Sequence, residues 1–172
     1  LLGLDNILVV ANTSLVDTRD MISEVFNLRC PTIMIESKIG YSRILYQNPN
    51  KLRISQENYS LGNICVNSGH GKPDITIICY GEIARDVVDS LTELERATNR
   101  KIELLCLIQL HPIRIGGLLN KKLGKLIIVV EEGTKEFGLG GEIAALLAEN
   151  QKSSEIFKRI AAEPYPIASN MA

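Results

Sequence analysis

Apolar runs of strand length alternate with an amphipathic segment near the start of the chain. Residues 7–11 (ILVVA) and 32–36 (TIMIE) are such runs, and runs of this kind are typical of buried strands. The segment between them, LVDTRDMISEVF, spaces its apolar residues like one face of a helix, and Thr13 or Ser14 can cap its start. The pattern therefore predicts a strand-helix-strand unit.

The pattern changes between Gly40 and Asn58. Amides, Pro49 and Lys51 replace the regular apolar spacing there, and the remaining apolar residues are scattered. Such a segment favours an extended connection rather than a helix or a buried strand. We therefore expect residues 41–60 to be a linker between two units, docked on a surface by its scattered apolar residues.

The rest of the chain again alternates between the two periods. Apolar runs predict strands at 61–66, 75–80, 102–108, 126–130 and 155–162. Helical spacing predicts helices at 82–97, 113–120 and 142–150. This alternation is typical of the α/β class, in which a mostly parallel sheet joined by right-handed crossovers is covered by helices on both faces.

Composition narrows the classes of function. The 172 residues are 45% hydrophobic and carry a formal net charge of -1, so charge gives no case for binding nucleic acid or an anionic membrane. No apolar run approaches the roughly 20 residues that cross a bilayer. The start, LLGLDNILVV, lacks an initiator methionine and a secretory leader, so we expect a piece of a longer chain.

The cysteine pattern suggests a compartment. None of Cys30, Cys65, Cys79 and Cys106 forms a Cys-x-x-Cys pair, and the spacing does not fit a zinc site. We interpret the four as small buried hydrophobic residues in a reducing cytoplasm.

Three positions are candidates for chemistry, and each has a structural alternative. His111 follows a predicted strand, where α/β enzymes place active groups, but it is also a turn residue before a proline. Glu131 and Glu132 are adjacent in an extended chain, so their side chains should point to opposite sides. We therefore favour a structural role in which one caps the next loop and the other is solvated. The glycines at 138–141 lack the third glycine of a dinucleotide fingerprint, which favours a tight backbone approach, within the domain or against a partner.

Several segments, taken in order, carry a resemblance to a known family. They are GLDNILVVANTSLVDTRDMISEVFN, PTIMIESKIGY, DITIICYGEIARDVVDSL, IELLCLIQLHPI, LIIVVEEGTKEFGLGGEIAALLAE and EPYPIASNMA. The chain resembles the beta subunit of the 2-oxo acid dehydrogenase first component, of the pyruvate and branched-chain type. It is more distantly similar to the carboxy-terminal domain of transketolase. His111 stands where the family usually has a basic residue, whereas Ile108 and Gln109 depart from its usual residues.

The resemblance implies a three-layer α/β/α domain with a mostly parallel sheet and one antiparallel strand, preceded by a partial strand-helix-strand unit. It implies that residues 1–40 end a pyrimidine-binding domain and that residues 61–172 form a transketolase carboxy-terminal-like domain. The parent enzyme would use thiamine diphosphate and magnesium to decarboxylate a 2-oxo acid and pass the acyl group to a lipoyl carrier. The groups that activate and hold this cofactor lie elsewhere in the family, so we expect no catalytic, cofactor or metal residue in this fragment and no activity from it alone.

The role implied for the fragment is assembly. Its expected partners are a second beta-type chain, a diphosphate-binding alpha-type domain or subunit and the lipoyl acyltransferase core. The candidate contact residues are Glu131, Glu132, Gly133, Gly138, Gly140, Gly141, Pro164, Tyr165, Pro166 and Asn170. Three alternatives stay open: the tail of a transketolase or deoxyxylulose-phosphate synthase, a stand-alone protein-interaction module, and an independent nucleotide-binding enzyme, which the missing third glycine disfavours.

Overall fold

A computed structural model describes residues 6–57, 61–69, 71–114, 121–150 and 156–165. Its helices are α1 (Arg19–Asn27), α2 (Ile83–Thr98) and α3 (Leu139–Glu149), with a short 3-10 helix at Gly40–Ser42. Its strands are β1 (Leu8–Ala11), β2 (Thr32–Ile35), β3 (Arg53–Gln56), β4 (Ile64–Asn67), β5 (Ile75–Tyr80), β6 (Ile102–Leu107), β7 (Gln109–His111), β8 (Leu126–Thr134) and β9 (Ile156–Ala162).

The larger sheet has six strands in the order β3-β4-β6-β5-β8-β9. The pairs β6–β5, β5–β8 and β8–β9 are parallel, whereas β4 is antiparallel to both of its neighbours, β3 and β6. Among the described strands β4 is therefore the one that opposes the rest, which confirms the prediction of a mostly parallel sheet with one antiparallel strand.

The predicted linker contributes a strand to this sheet. Residues Arg53–Gln56 form β3 and pair with Asn67–Ile64 of β4 at the sheet edge, so this part of the segment is not a plain connection. The four residues RISQ, with Ile54 half-buried and the others exposed, are too few for their pattern to be distinguished from a loop. The predicted domain boundaries, which place the linker at residues 41–60, stay predictions.

A smaller sheet has the order β2-β1-β7, in which β1 and β2 are parallel and β7 is antiparallel to β1. The prediction that His111 lies in a turn is wrong, because His111 belongs to β7 and is the register partner of Val9. The chain bends at Ile108 after β6, and the next three residues form β7 of the smaller sheet. The peptide bond from His111 to Pro112 is cis.

Both faces of the larger sheet are apolar, and a different helix covers each. On one face Ile77, Leu104 and Val66 lie side by side in neighbouring strands and pack in the same buried cluster as α2. On the other face Ile78, Leu105 and their neighbours share a cluster with α3. The buried residues of α2 are Ala84, Val88 and Leu91, and those of α3 include Leu139, Ile143 and Leu147. This arrangement is the predicted three-layer α/β/α architecture.

Several element boundaries differ from the predictions. Helix α1 begins at Arg19, and its N-cap is Thr18 rather than Thr13 or Ser14. Strand β8 continues to Thr134, past its predicted end at residue 130, and α3 begins at Leu139 rather than at Glu142. Gly138 is extended, with φ -75° and ψ 161°. The turn therefore precedes Leu139, and Gly140 and Gly141 belong to the helix. Of the predicted helix at 113–120, Ile113 and Arg114 are not helical and residues 115–120 lie outside the described residues.

Candidate functional site

A buried carboxylate lies where strands from the two sheets end. Glu82 follows β5 after Gly81, whose φ of 70° lets the chain turn sharply into α2. Only 5% of Glu82 is exposed. The backbone N–H of Ser14, in the loop after β1, donates to Glu82 Oε2 at 2.8 Å, and the Ser14 hydroxyl donates to Oε1 at 2.6 Å. The Glu82 carboxylate therefore fixes the first unit to the start of α2.

Arg43 completes this contact from the connecting segment. Its guanidinium donates to Glu82 Oε1 at 3.3 Å and forms a second ion pair of 2.8 Å with Asp86. Next to it, the Arg85 guanidinium carbon lies 4.6 Å from the centre of the Tyr46 ring. The segment that we predicted to be a linker thus lies against the amino-terminal half of α2.

A polar cavity of about 160 Å³ opens beside Glu82. The residues that line it are Asn12, Thr13, Ser14, Thr18, Glu36, Ser37, Gly40, Tyr41, Arg43, Leu45 and Glu82. Glu36 accepts a hydrogen bond of 2.6 Å from the Tyr41 hydroxyl, which raises the pKa of Tyr41, and Asn12 Oδ1 is buried with no partner among the described residues. Because three donors engage Glu82, the cavity has a structural anchor rather than a free base.

Sequence reasoning missed Glu82. Its partners Ser14 and Arg43 are 68 and 39 residues away in the chain, so no local spacing could reveal them. The only sequence signal was an acidic residue directly after a buried strand and a glycine, a place where α/β proteins often concentrate polar groups.

A second buried carboxylate belongs to Glu131, one of the predicted contact residues. Glu131 lies on β8 with 3% of its surface exposed, and its Oε1 accepts the backbone N–H of Gly140 in α3 at 3.2 Å. Its Oε2 is buried without a hydrogen-bond partner in the described part of the chain. Glu132 is exposed. This is the predicted division, in which one glutamate caps the following segment and the other is solvated.

The glycines of the following segment are required by this carboxylate. A Cβ at Gly138 would lie 2.6 Å from Glu131 Oε2 and 2.6 Å from the Thr134 carbonyl oxygen. A Cβ at Gly140 would lie 2.8 Å from Arg159 Cδ and 2.9 Å from Glu131 Oε1. Of the two predicted kinds of close approach, the structure shows the one within the domain at these glycines.

The same contact decides whether this segment fits a diphosphate. A phosphate at the start of α3 would need the Gly140 amide, which Glu131 Oε1 already occupies, and it would meet a buried carboxylate of like charge. The described residues also contain no group of three or more histidine, cysteine, aspartate or glutamate side chains that could hold a metal ion. The start of α3 therefore does not fit the diphosphate of thiamine diphosphate.

Tyr80 lies at the end of β5, next to this region. Burial raises the pKa of the Tyr80 hydroxyl, and the nearby Glu131 and Glu132 carboxylates raise it further. A Cβ at Gly133 would lie 3.7 Å from the Tyr80 hydroxyl oxygen, so the predicted contact residue Gly133 packs beside it. The tyrosine is therefore held in its neutral form, which suits packing and hydrogen bonding better than acid–base work.

Three of the four cysteines are buried, as the sequence predicts for all four. Cys65, Cys79 and Cys106 are buried and Cys30 is half-buried, all as free thiols. Burial raises the pKa of both Cys65 and Cys79, and Glu103, which accepts the Cys65 thiol at 3.0 Å, raises that of Cys65 further. Raised pKa values disfavour the nucleophilic thiolate.

The last of the predicted contact residues lie after β9. Pro164 and Tyr165 are exposed, and 75% of Tyr165 is accessible. Pro166 and Asn170 lie outside the described residues. A contact role for these positions, and for the glutamates and glycines above, stays a prediction.

Comparison with known proteins identifies the class. Residues 66–169 match the family of the transketolase C-terminal domain, and this match covers more than half of the chain. The chain therefore belongs to the transketolase C-terminal domain family. The parent enzymes of this family use thiamine diphosphate.

Individual relatives add a more distant relationship. The chain is 35% identical over 78 residues to the pyruvate dehydrogenase E1 component subunit beta of two Staphylococcus epidermidis strains, ATCC 35984 and ATCC 12228. The match covers 44% of this chain and 23% of those relatives. A solved structure described as a split gene transketolase, inactive beta4 tetramer, superposes on 93% of this chain and 49% of its own with a TM-score of 0.63. At 18% identity, that likeness establishes the fold alone.

The first prediction concerns the contact between the two units. We expect Glu82→Ala to reduce the free energy of unfolding by about 2 kcal/mol, because it leaves the Ser14 amide without its acceptor and removes one of the two ion-pair partners of Arg43. Urea unfolding measures this loss. Asp89→Asn is the control, since it breaks only the partly exposed pair with Arg85 and should change stability by less than about 0.5 kcal/mol. Equal effects of the two substitutions would contradict the assigned role of Glu82.

The second prediction compares neighbouring glycines of α3. Gly140→Ala should cost about 1 to 3 kcal/mol, because its Cβ would meet Glu131 Oε1 at 2.9 Å and Arg159 Cδ at 2.8 Å. Gly141→Ala should be neutral or stabilising by up to about 1 kcal/mol, because its Cβ has an ordinary contact of 3.5 Å with Arg159 and alanine favours a helix. Thermal unfolding of both variants measures the difference. A Gly140→Ala protein as stable as the wild type would contradict the close contacts of Gly140 with Glu131 and Arg159.

Proposed function

We propose that this chain is the assembly part of a thiamine-diphosphate-dependent 2-oxo acid dehydrogenase beta subunit. Its role is to join a second beta-type chain and to help to dock the lipoyl acyltransferase core. The reaction of the parent enzyme, decarboxylation of a 2-oxo acid with transfer of the acyl group to a lipoyl carrier, would require the diphosphate-binding alpha-type domain or subunit. The fragment alone would not be active, and a cytoplasmic location belongs to the same proposal.

The observation that carries this proposal is the use of the two buried carboxylates. Glu82 fixes the first unit to α2, and Glu131 binds the Gly140 amide at the start of α3. Glu82 lines a cavity, but both of its carboxylate oxygens accept hydrogen bonds from other parts of the fold, and Glu131 Oε1 accepts the Gly140 amide, so both carboxylates contribute to the fold. The identity of 35% to a pyruvate dehydrogenase beta subunit over 78 residues supports the choice of enzyme.

A transketolase-type parent is the second candidate. The structural likeness to a split gene transketolase over 93% of this chain favours it, although the identity is 18%. The two candidates differ in substrate, because a transketolase acts on sugar phosphates and a dehydrogenase passes an acyl group to a lipoyl acceptor. The higher identity to the pyruvate dehydrogenase subunit, 35% within the match, makes the dehydrogenase the better supported of the two.

The third prediction tests the assembly role directly. Titration of thiamine diphosphate with magnesium into the chain should produce no binding heat, and light scattering should give the mass of a dimer. A complete 2-oxo acid dehydrogenase in the same buffer is the positive control for the titration. Micromolar binding by the chain would overturn the proposal, because it would place a cofactor site among these residues.

A further inference from the structure

Three loops meet at the end of the larger sheet where β5, β6 and β8 begin. These strands are parallel and their first residues are register partners, so the residues just before them, Lys101, Asp74 and Lys125, lie in one row. With about 4.8 Å between neighbouring strands, the row spans roughly 10 Å. We call this end of the sheet the amino edge, and it comprises residues 71–74, 99–101 and 121–125.

Asp74 fixes the three loops to one another. Its carboxylate Oδ2 accepts the backbone N–H of Lys101 at 3.0 Å, and its own N–H donates to the Lys101 carbonyl at 2.9 Å. Its carbonyl accepts the backbone N–H of Leu126 at 3.3 Å. A Cβ at Gly124 would lie 2.6 Å from that carbonyl oxygen, so the close approach requires glycine. The side chains of the amino edge therefore leave a fixed backbone.

Basic residues dominate the amino edge. It has six of them and one acid, Asp74, although the whole chain has a formal net charge of -1. Four of the basic residues are exposed and have no ion pair within the described ranges, namely Lys72, Arg100, Lys101 and Lys122. Lys121 and Lys125 complete the set.

The acids that border the amino edge are engaged elsewhere in the fold. Glu95 Oε1 accepts the Ser68 hydroxyl and the backbone N–H of Ile102, each at 2.9 Å. Glu103 Oε2 accepts the Cys65 thiol at 3.0 Å. Neither acid forms an ion pair with a basic side chain in the described part of the chain. The amino edge therefore keeps a positive excess, which attracts an anionic partner.

The composition of the amino edge favours a protein partner over nucleic acid or a membrane. It contains no aromatic residue on which a base could stack. Its larger apolar side chains, Pro73 and Leu123, are half-buried, so none is exposed for insertion into lipid. Five of the six basic residues are lysines, whose flexible point charges pair with carboxylates in many geometries.

We propose that the amino edge docks an extended acidic segment of a partner protein, rich in aspartate and glutamate. A row of roughly 10 Å is the length of about three extended residues, so closely spaced carboxylates can reach Lys72, Lys101 and Lys122 together. The cavity beside Glu82 lies at the opposite, carboxyl end of β5, so the docked segment leaves it open. This surface is separate from the proposed joining of two beta-type chains and serves either candidate parent enzyme.

Binding of a labelled acidic peptide tests this surface. The probe is a fluorescein-labelled peptide of consecutive glutamates, and fluorescence anisotropy measures its affinity for the chain. The affinity should fall as salt increases, and a glutamine peptide of equal length should not bind. Combining Lys72→Glu, Lys101→Glu and Lys122→Glu should weaken binding of the glutamate peptide by about tenfold or more, because like charges then meet.

A matched triple variant away from the amino edge is the control. Lys38, Lys135 and Lys158 are exposed, and combining Lys38→Glu, Lys135→Glu and Lys158→Glu changes the net charge by the same amount. This variant should bind the glutamate peptide within about threefold of the wild type, since its substitutions lie away from the docked segment. Circular dichroism and urea midpoints show whether both variants are folded.

A neutral variant decides the question if the charge reversal at the amino edge unfolds the chain. Combining Lys72→Gln, Lys101→Gln and Lys122→Gln removes the attraction without adding repulsion, and it should weaken binding by about threefold or more. No binding of the glutamate peptide by the wild type overturns the proposal, and so does an equal loss in the edge and control variants. Tighter binding of single-stranded oligothymidine or of phosphatidylserine vesicles than of the peptide also overturns it, because the partner would then be nucleic acid or a membrane.

Discussion

The structure depends on covering a six-stranded sheet that is apolar on both faces. Burial of apolar surface is the dominant favourable term in folding, and a sheet with two apolar faces cannot be satisfied by one layer of helix. Helix α2 covers one face through Val88 and Leu91, and α3 covers the other through Ile143 and Leu147.

The two buried carboxylates are consistent with a fold that is organised for assembly. A buried charge is tolerated when hydrogen bonds replace those lost to water, and Glu82 meets this condition with the amide and hydroxyl of Ser14 and with Arg43. Glu131 uses the Gly140 amide, and its position requires glycine at 138 and 140. Glu82 joins elements that are distant in the chain, and Glu131 joins β8 to the helix that follows it, so both act on how the layers fit together.

Sequence patterns predicted the elements that residues close in the chain determine. Strand β5 has the bounds predicted from ITIICY, and α2 differs from its prediction by one residue at each end, because its apolar spacing is long and regular. The division of roles between Glu131 and Glu132 was also predictable, since adjacent side chains on a strand point to opposite faces.

Other features were not predictable, because distant contacts determine them. Strand β3 exists through pairing with β4, and β7 exists because the chain after Ile108 reaches β1. The start of α3 was placed three residues late, since glycines normally oppose a helix, and here the Glu131 carboxylate excludes any larger side chain at 138 and 140. The Glu82 contact depends on residues 39 and 68 positions away.

Native-state hydrogen exchange tests the central claim most directly, because it measures the free energy of opening for each backbone amide. The amides of Ile78 in β5 and Leu105 in β6, in strands that α2 and α3 cover, should exchange only through global unfolding. Exchange of these amides by local opening, at a free energy well below that of global unfolding, would contradict the dependence of the fold on the covered sheet.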